Sequence, residues 1–150
     1  GYRNPRDGCE AALVALQEEG VFLEQTSNWY ETAPVPISDQ PWYLNAVALA
    51  TTSGDAAMTL AALHRIEARF GRARGIRNEA RVLDLDLLDF DGQSNQNPSL
   101  MLPHPRMHQR AFVLFPLREL CPNWCHPVSG NSIDNLIAQL PSCQKIRLAV

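Results

Sequence analysis

Seven residues, Val82-Leu83-Asp84-Leu85-Asp86-Leu87-Leu88, constrain this chain more than any other stretch. Side chains in a strand alternate faces, so this pattern predicts a strand with Leu83, Leu85 and Leu87 on one side and Asp84 and Asp86 on the other. Two carboxylates held side by side repel unless a proton or a cation sits between them. The approach to the pair is equally distinctive. Six of the twelve arginines fall between Arg65 and Arg81, punctuated by Gly71 and Gly75 and offset locally only by Glu67 and Glu79. Guanidinium forks grip phosphate oxygens and carboxylates hold magnesium, so the adjacency points to a metal-bound polyphosphate. Each half alone has a plainer reading, since D-x-D is common on strands and arginine clusters are often solvated faces.

A chain of 150 residues, 45% hydrophobic and 19% charged, has the size and composition of one globular domain spanning 1–150. Its net charge of −3 makes the positive charge local, which favours a small anionic ligand over nucleic acid. No apolar run reaches membrane-spanning length and no signal-peptide pattern opens the chain, so no membrane partner and a cytoplasmic location are expected. Cys121 and Cys125, followed by His126, are spaced one residue too far for a C-x-x-C-H motif. No second ligand pair lies at zinc-finger distance, so Cys9, Cys121, Cys125 and Cys143 are expected to be free thiols.

Taken in order, Asn4 and Pro5 signal a helix that carries Cys9, Leu13 and Leu16 on one face and stops at Gly20. Val21 to Tyr30 reads as a strand, and Pro34, Pro36 and Pro41 mark a stiff loop. A second strand is expected over Tyr43 to Thr52, apolar on both faces and therefore covered on both. Ser53 to Asp55 caps a helix bearing Leu60, Leu63, Ile66 and Phe70, ended by Gly71. The loop Gly71 to Ala80 is expected to be mobile until nucleotide orders it. Beyond the D-x-D strand, Asp91-Gly92 makes a turn and Gln93 to Ser99 is polar and expected to be mobile. Arg110 to Leu114 opens a buried helix, and Asn131 or Ser132 caps a last helix with Ile133, Leu136, Ile137 and Leu140. The order helix, strand, strand, helix, strand becomes βαββαβ if one strand is prefixed. The expected class is therefore α+β, a ferredoxin-like sandwich with extra C-terminal helices whose first strand is missing from the chain. That strand, with a Gly-rich turn, is expected ahead of Gly1, filling a slot between Tyr43–Thr52 and the D-x-D strand.

Four motifs in order then resemble the hydroxymethyl-dihydropterin pyrophosphokinases of folate biosynthesis. They are Tyr30-Glu31-Thr32-Ala33-Pro34 with Asp39-Gln40-Pro41-Trp42-Tyr43-Leu44-Asn45-Ala46; Arg65-Ile66-Glu67 with Gly71-Arg72-Ala73-Arg74; Arg81-Val82-Leu83-Asp84-Leu85-Asp86-Leu87; and Leu102-Pro103-His104-Pro105-Arg106 with Arg110-Ala111-Phe112-Val113-Leu114. The resemblance implies transfer of pyrophosphate from ATP to the hydroxymethyl of a reduced pterin. It implies two Mg2+ ions on Asp84 and Asp86, with Arg72 and Arg81 also in the catalytic set. Arg74, Leu87, His104 and Arg110 match nucleotide contacts, and Thr32, Val35, Tyr43, Asn45 and Phe112 match the pterin pocket. ATP and the pterin are the implied partners, with fusion to or association with other folate-pathway enzymes as an option. Two departures stand out: Asn78 occupies a position where many members carry tryptophan, and the Gly-Ser-Asn-type turn after the first strand is not in this sequence. Two other readings remain open on the residues alone, a non-catalytic nucleotide-binding module on the same fold and a metal-dependent phosphohydrolase built on Asp84 and Asp86.

Overall fold

The first helix, α1 (Pro5–Glu18), and the second, α2 (Ala56–Gly71), lie against each other, and both sequences repeat small or branched apolar residues at helical spacing. The computed structural model describes residues 5–33, 42–71, 84–142 and 144–149. Gly20, at φ 85°, reverses the chain after α1 in the left-handed region that glycine enters without strain. Asp55 caps α2, its Oδ1 accepting the Met58 N–H at 2.8 Å. Ala12, Ala15 and Leu16 of α1 meet Ala62, Leu63 and Ile66 of α2 over Val21, forming a first core cluster. Salt bridges from Arg65 to Glu19 and from Arg69 to Glu18 run along the exposed rim of that helix pair.

Two antiparallel sheets follow. In one, β1 (Val21–Thr26) pairs with β4 (Ala48–Thr52); in the other, β2 (Tyr30–Thr32) lies between β3 (Tyr43–Asn45) and β5 (Ile146–Leu148). The expected strands Val21–Tyr30 and Tyr43–Thr52 are thus each divided in two. The cause lies at Ser27, whose N–H goes to Val47 O at 2.8 Å while its hydroxyl accepts the Val47 N–H at 2.9 Å. This side-chain bond replaces a ladder bond, and the chain pair changes sheets there. The expectation that Tyr43–Thr52 is covered on both faces is also corrected. Val47 is buried, but Ala48 to Thr51 are exposed, with Leu49 at 39%. Short β5 was not anticipated, although the alternation in Lys145-Ile146-Arg147-Leu148 carries its period of two.

A second core cluster gathers Val47, Met107, Val113, Leu114, Leu117, Ile133 and Leu136. It is built by α3 (Ala111–Leu120) and α4 (Ile133–Ala138), where the sequence placed them. Ser132 caps α4 by accepting the Asn135 N–H at 3.1 Å. Pro116 sits inside α3 and has no N–H to return to the carbonyl four residues back, that of Phe112. Asp91 and Gly92, at φ 52° and 69°, form the expected turn. Gln93 to Ser99 is pinned by an Asn95–Leu102 bridge and by Asn97 Oδ1 accepting from Ser99. No helix among the described residues is long and apolar enough to cross a membrane. The architecture is α+β with antiparallel sheets.

Candidate functional site

Residues 84–89 form no strand among the described residues, which corrects the expected D-x-D strand over its described part. The backbone bonds go elsewhere. The Leu85 N–H donates to Glu67 Oε2 at 2.9 Å, and Leu88 O accepts the His104 N–H at 2.8 Å. The alternation nevertheless holds. Leu85 and Leu87 pack on the first core cluster, whereas Asp84 and Asp86 are exposed and Leu88 reaches the second cluster. This segment is therefore the seam between the two cores, and its acidic side faces solvent. Trp124 Nε1 closes the far end by donating to Asp89 Oδ2 at 3.1 Å.

Asp86, His104 and Arg110 converge. Arg110 Nη1 lies 4.0 Å from Asp86 Oδ2, and its guanidinium carbon stacks 5.3 Å from the centroid of the Phe112 ring. A guanidinium has no acceptor to cap a helix, and the first N–H of α3, from Ala111, goes instead to Gln144 Oε1 at 2.7 Å. Burial pushes the His104 imidazole below its ordinary pKa, Asp86 pulls it up, and Arg110 and Arg106 push it down again. Its Nδ1 accepts the Arg106 N–H at 3.2 Å, so the neutral ring carries its proton on Nε2. A half-buried arginine and an Nε2–H donor beside the exposed Asp86 carboxylate, with Asp84 two residues away, suit an anion that brings a cation with it.

The second grouping lies on the three-stranded sheet. Register sets Thr32 opposite Tyr43 and Tyr30 opposite Asn45, and Asn45 Nδ2 donates to Thr32 Oγ1 at 3.2 Å. Thr32 is buried, while Tyr43 is 52% exposed. Helix α3 packs on β2, and Tyr30 donates its hydroxyl to Glu119 Oε1 at 2.8 Å; burial, then that carboxylate, pushes the phenol up to about 12. A cavity of about 410 Å³ opens between α3, α4 and β5, lined by Ala111, Phe115, Ile137, Gln144 and Ile146 among others, but by none of the expected site residues.

The structure thus brings together Asp86, His104, Arg110 and Phe112, and separately Thr32, Tyr43 and Asn45. Asp84 is exposed on the side of Asp86, whereas the Leu87 side chain turns into the first cluster. Val35, Arg72, Arg74 and Arg81, with the loop Gly71 to Ala80 beyond its first residue, lie outside the described residues. Sequence reasoning missed the bond from Leu85 to Glu67. Its only signal was an acid on α2 among arginines. Cys9, Cys121 and Cys125 are free thiols, and burial, then Glu10, pushes the Cys9 thiol up.

A carboxylate beside a histidine and an arginine, on an α+β frame with a separate polar–aromatic sheet face, suits a phosphate-handling enzyme. The chain belongs to the 7,8-dihydro-6-hydroxymethylpterin-pyrophosphokinase (HPPK) family, whose model matches residues 2–122. It is 37% identical over 145 residues to the 2-amino-4-hydroxy-6-hydroxymethyldihydropteridine pyrophosphokinase of Haemophilus influenzae, covering 96% of this chain and 90% of the relative. To the Synechocystis protein of the same name it is 38% identical over 132 residues, 88% of this chain and 65% of that relative's length. It is 36% identical over 132 residues to the mitochondrial folate synthesis bifunctional protein of Arabidopsis thaliana, 88% of this chain but 22% of that longer protein.

Proposed function

We propose that this chain transfers pyrophosphate from ATP to the hydroxymethyl group of 6-hydroxymethyl-7,8-dihydropterin, a step of folate biosynthesis, giving AMP and the pterin diphosphate. The observation that carries the reading is the convergence of Asp86, His104 and Arg110 in a member of this family. In the reaction the pterin hydroxyl oxygen bonds to the β-phosphorus of ATP. The bond from that phosphorus to the α–β bridging oxygen breaks, the hydroxyl proton is lost, and AMP leaves. His104 donates from Nε2 to a phosphate oxygen, and Arg110 binds phosphate while stacked on Phe112. Arg72, Arg74 and Arg81 complete the phosphate grip, and Leu87 contributes through its backbone. Thr32 and Asn45 read the polar edge of the pterin, Asn45 being able both to donate and to accept. Tyr43, Val35 and Phe112 cover its flat faces.

Asp84 and Asp86 would hold Mg2+. Two exposed carboxylates, in a segment where no third ligating side chain gathers among the described residues, fit an ion that keeps several waters and takes further oxygens from substrate phosphates. When bound, two such ions neutralise the triphosphate and orient its β-phosphorus. We read residues 1–150 as one domain with a ferredoxin-like plan, in which a further strand fits between β4 and residues 84–88. Free thiols at Cys9, Cys121 and Cys125 support a reducing compartment such as the cytoplasm. Association with other folate-pathway activities follows the bifunctional naming of the Arabidopsis relative.

Measuring AMP from ATP with and without the reduced pterin tests the reading. AMP formed one-for-one with pterin diphosphate, and only when pterin is present, is the expected result. ATP binding without AMP would instead indicate a nucleotide-binding module, and phosphate release independent of pterin a phosphohydrolase.

A further inference from the structure

The sheet β3–β2–β5 has a back as well as a front. Glu31 is paired with Leu44 on one side and with Arg147 on the other, so their side chains project from the face opposite to Thr32, Tyr43 and Asn45. On that back face Arg147 donates from both Nε and Nη2 to Glu31 Oε2, at 3.0 and 2.9 Å. The Trp42 ring covers the same guanidinium, with its centroid 4.0 Å from the central carbon. One arginine of β5 therefore grips β2 through a carboxylate and the entry to β3 through an aromatic ring. None of these three residues belongs to the site described above.

We infer that Trp42, Arg147 and Glu31 are positioning residues for pterin recognition, a clamp on the back of the sheet that fixes the strand presenting Tyr43 and Asn45. The inference rests on the functional reading above. On the front face Asn45 is tied to Thr32 at 3.2 Å, but strand β3 has only three residues and Tyr43 is 52% exposed, so a second hold from behind matters. A hydrogen-bonding edge such as that of Asn45 discriminates only when its position is set beforehand, and errors near 1 Å weaken recognition strongly. Trp42 stands next to Tyr43 in sequence, so its seating on Arg147 limits where the strand begins. Arginine suits the post because two of its N–H groups converge on one carboxylate oxygen while its plane stacks on an indole, which lysine cannot do.

The test measures the dissociation constant of the reduced pterin in the presence of a saturating magnesium–ATP analogue, together with the constant for the analogue alone. Trp42→Ala and Arg147→Lys are expected to weaken pterin binding by roughly three- to tenfold, the scale of a partly exposed cation–π and ion-pair clamp. Trp42→Phe is expected to restore binding to within about twofold, since a phenyl ring keeps the stacking surface. The analogue constant stays unchanged, and kcat at saturating pterin changes less than KM for pterin. Hydrogen exchange at Tyr43 to Asn45 in the ligand-free protein speeds up in Trp42→Ala. Variants that bind pterin as the active wild type does would overturn the clamp alone. A parallel weakening of the ATP analogue would also overturn it, because that is general destabilisation. If the wild-type chain releases no AMP in response to pterin, the functional reading falls first and the clamp's role in recognition falls with it.

Discussion

Asp86 is exposed while Leu85 and Leu87 on either side of it pack on the core, so the carboxylate cannot retreat from solvent without disturbing that packing. Arg110 Nη1, at 4.0 Å, offsets its charge in part, but unlike a metal ion a guanidinium cannot coordinate carboxylate and phosphate oxygens together. Asp84→Asn and Asp86→Asn should each lower turnover by about two to three orders of magnitude, because an amide keeps the shape and loses the charge. Far-UV circular dichroism and pterin affinity should stay close to wild type, and turnover within a few-fold of wild type would remove both residues from the site. His126 gives a pH prediction. Burial, then His108, pushes its pKa below the usual 6.5, with Asp89 pulling weakly the other way, and its Nδ1 accepts the N–H groups of Val128 and Ser129 at 3.2 Å each. A depressed folded-state pKa means that the stabilisation is full above about pH 6.5 and fades as pH falls through the folded value. His126→Asn keeps an acceptor for the Val128 N–H, as in an Asx turn, without titrating. Denaturant melts at pH 7.5 and pH 5 should show a smaller acid loss in the variant, and equal losses would refute the assignment.

At the scale of elements, helices were legible and strand limits were not. Helices α1, α2, α3 and α4 follow from apolar spacing and local caps, with Asp55 and Ser132 serving as caps where the sequence placed them. The break of each expected strand near Ser27 and Val47 was not legible, because a serine hydroxyl accepting a backbone N–H leaves no periodic trace. The same holds at residues 84–89. Alternation gave Leu85 and Leu87 against the core and Asp84 and Asp86 outside, with Leu83 beyond the described residues, but the partner of Leu85 N–H turned out to be a carboxylate on α2. Of the candidate site, the motifs gave Asn45 and Thr32, which the register of β2 and β3 brings together, and His104 and Arg110, which lie beside Asp86. The clamp of Trp42, Glu31 and Arg147 was not legible, since it joins positions 116 residues apart through side chains alone. Glu67 yields the prediction at this scale. Glu67→Ala leaves the half-buried Leu85 N–H without an acceptor, costing about 1–3 kcal/mol, whereas Glu67→Gln keeps an oxygen there and should cost less. Thermal melts should order the proteins as wild type, Gln, Ala. An alanine variant as stable as wild type would show that the bond contributes nothing to holding the aspartate segment.

For the molecule as a whole, the question is what lies along the edge of β4. Among the described residues β4 pairs with β1 alone, and residues 84–89 join no ladder. Phe22 and Leu49, 52% and 39% exposed, add apolar surface to the same small sheet. An open edge with exposed apolar side chains is a template for another strand. The ferredoxin-like reading puts such a strand between β4 and residues 84–88, where it would also brace the segment that carries the two aspartates. Fusing a short apolar strand and a Gly-rich turn ahead of Gly1 should therefore slow hydrogen exchange at Ala48 to Thr52 and at Leu85 to Leu88 together. It should also raise the melting temperature by roughly 5–10 °C, the effect of a few kcal/mol on a domain of this size. A scrambled polar segment of equal length serves as the control and should do neither. If the apolar segment leaves exchange at both stretches unchanged, no strand slot exists between β4 and residues 84–88.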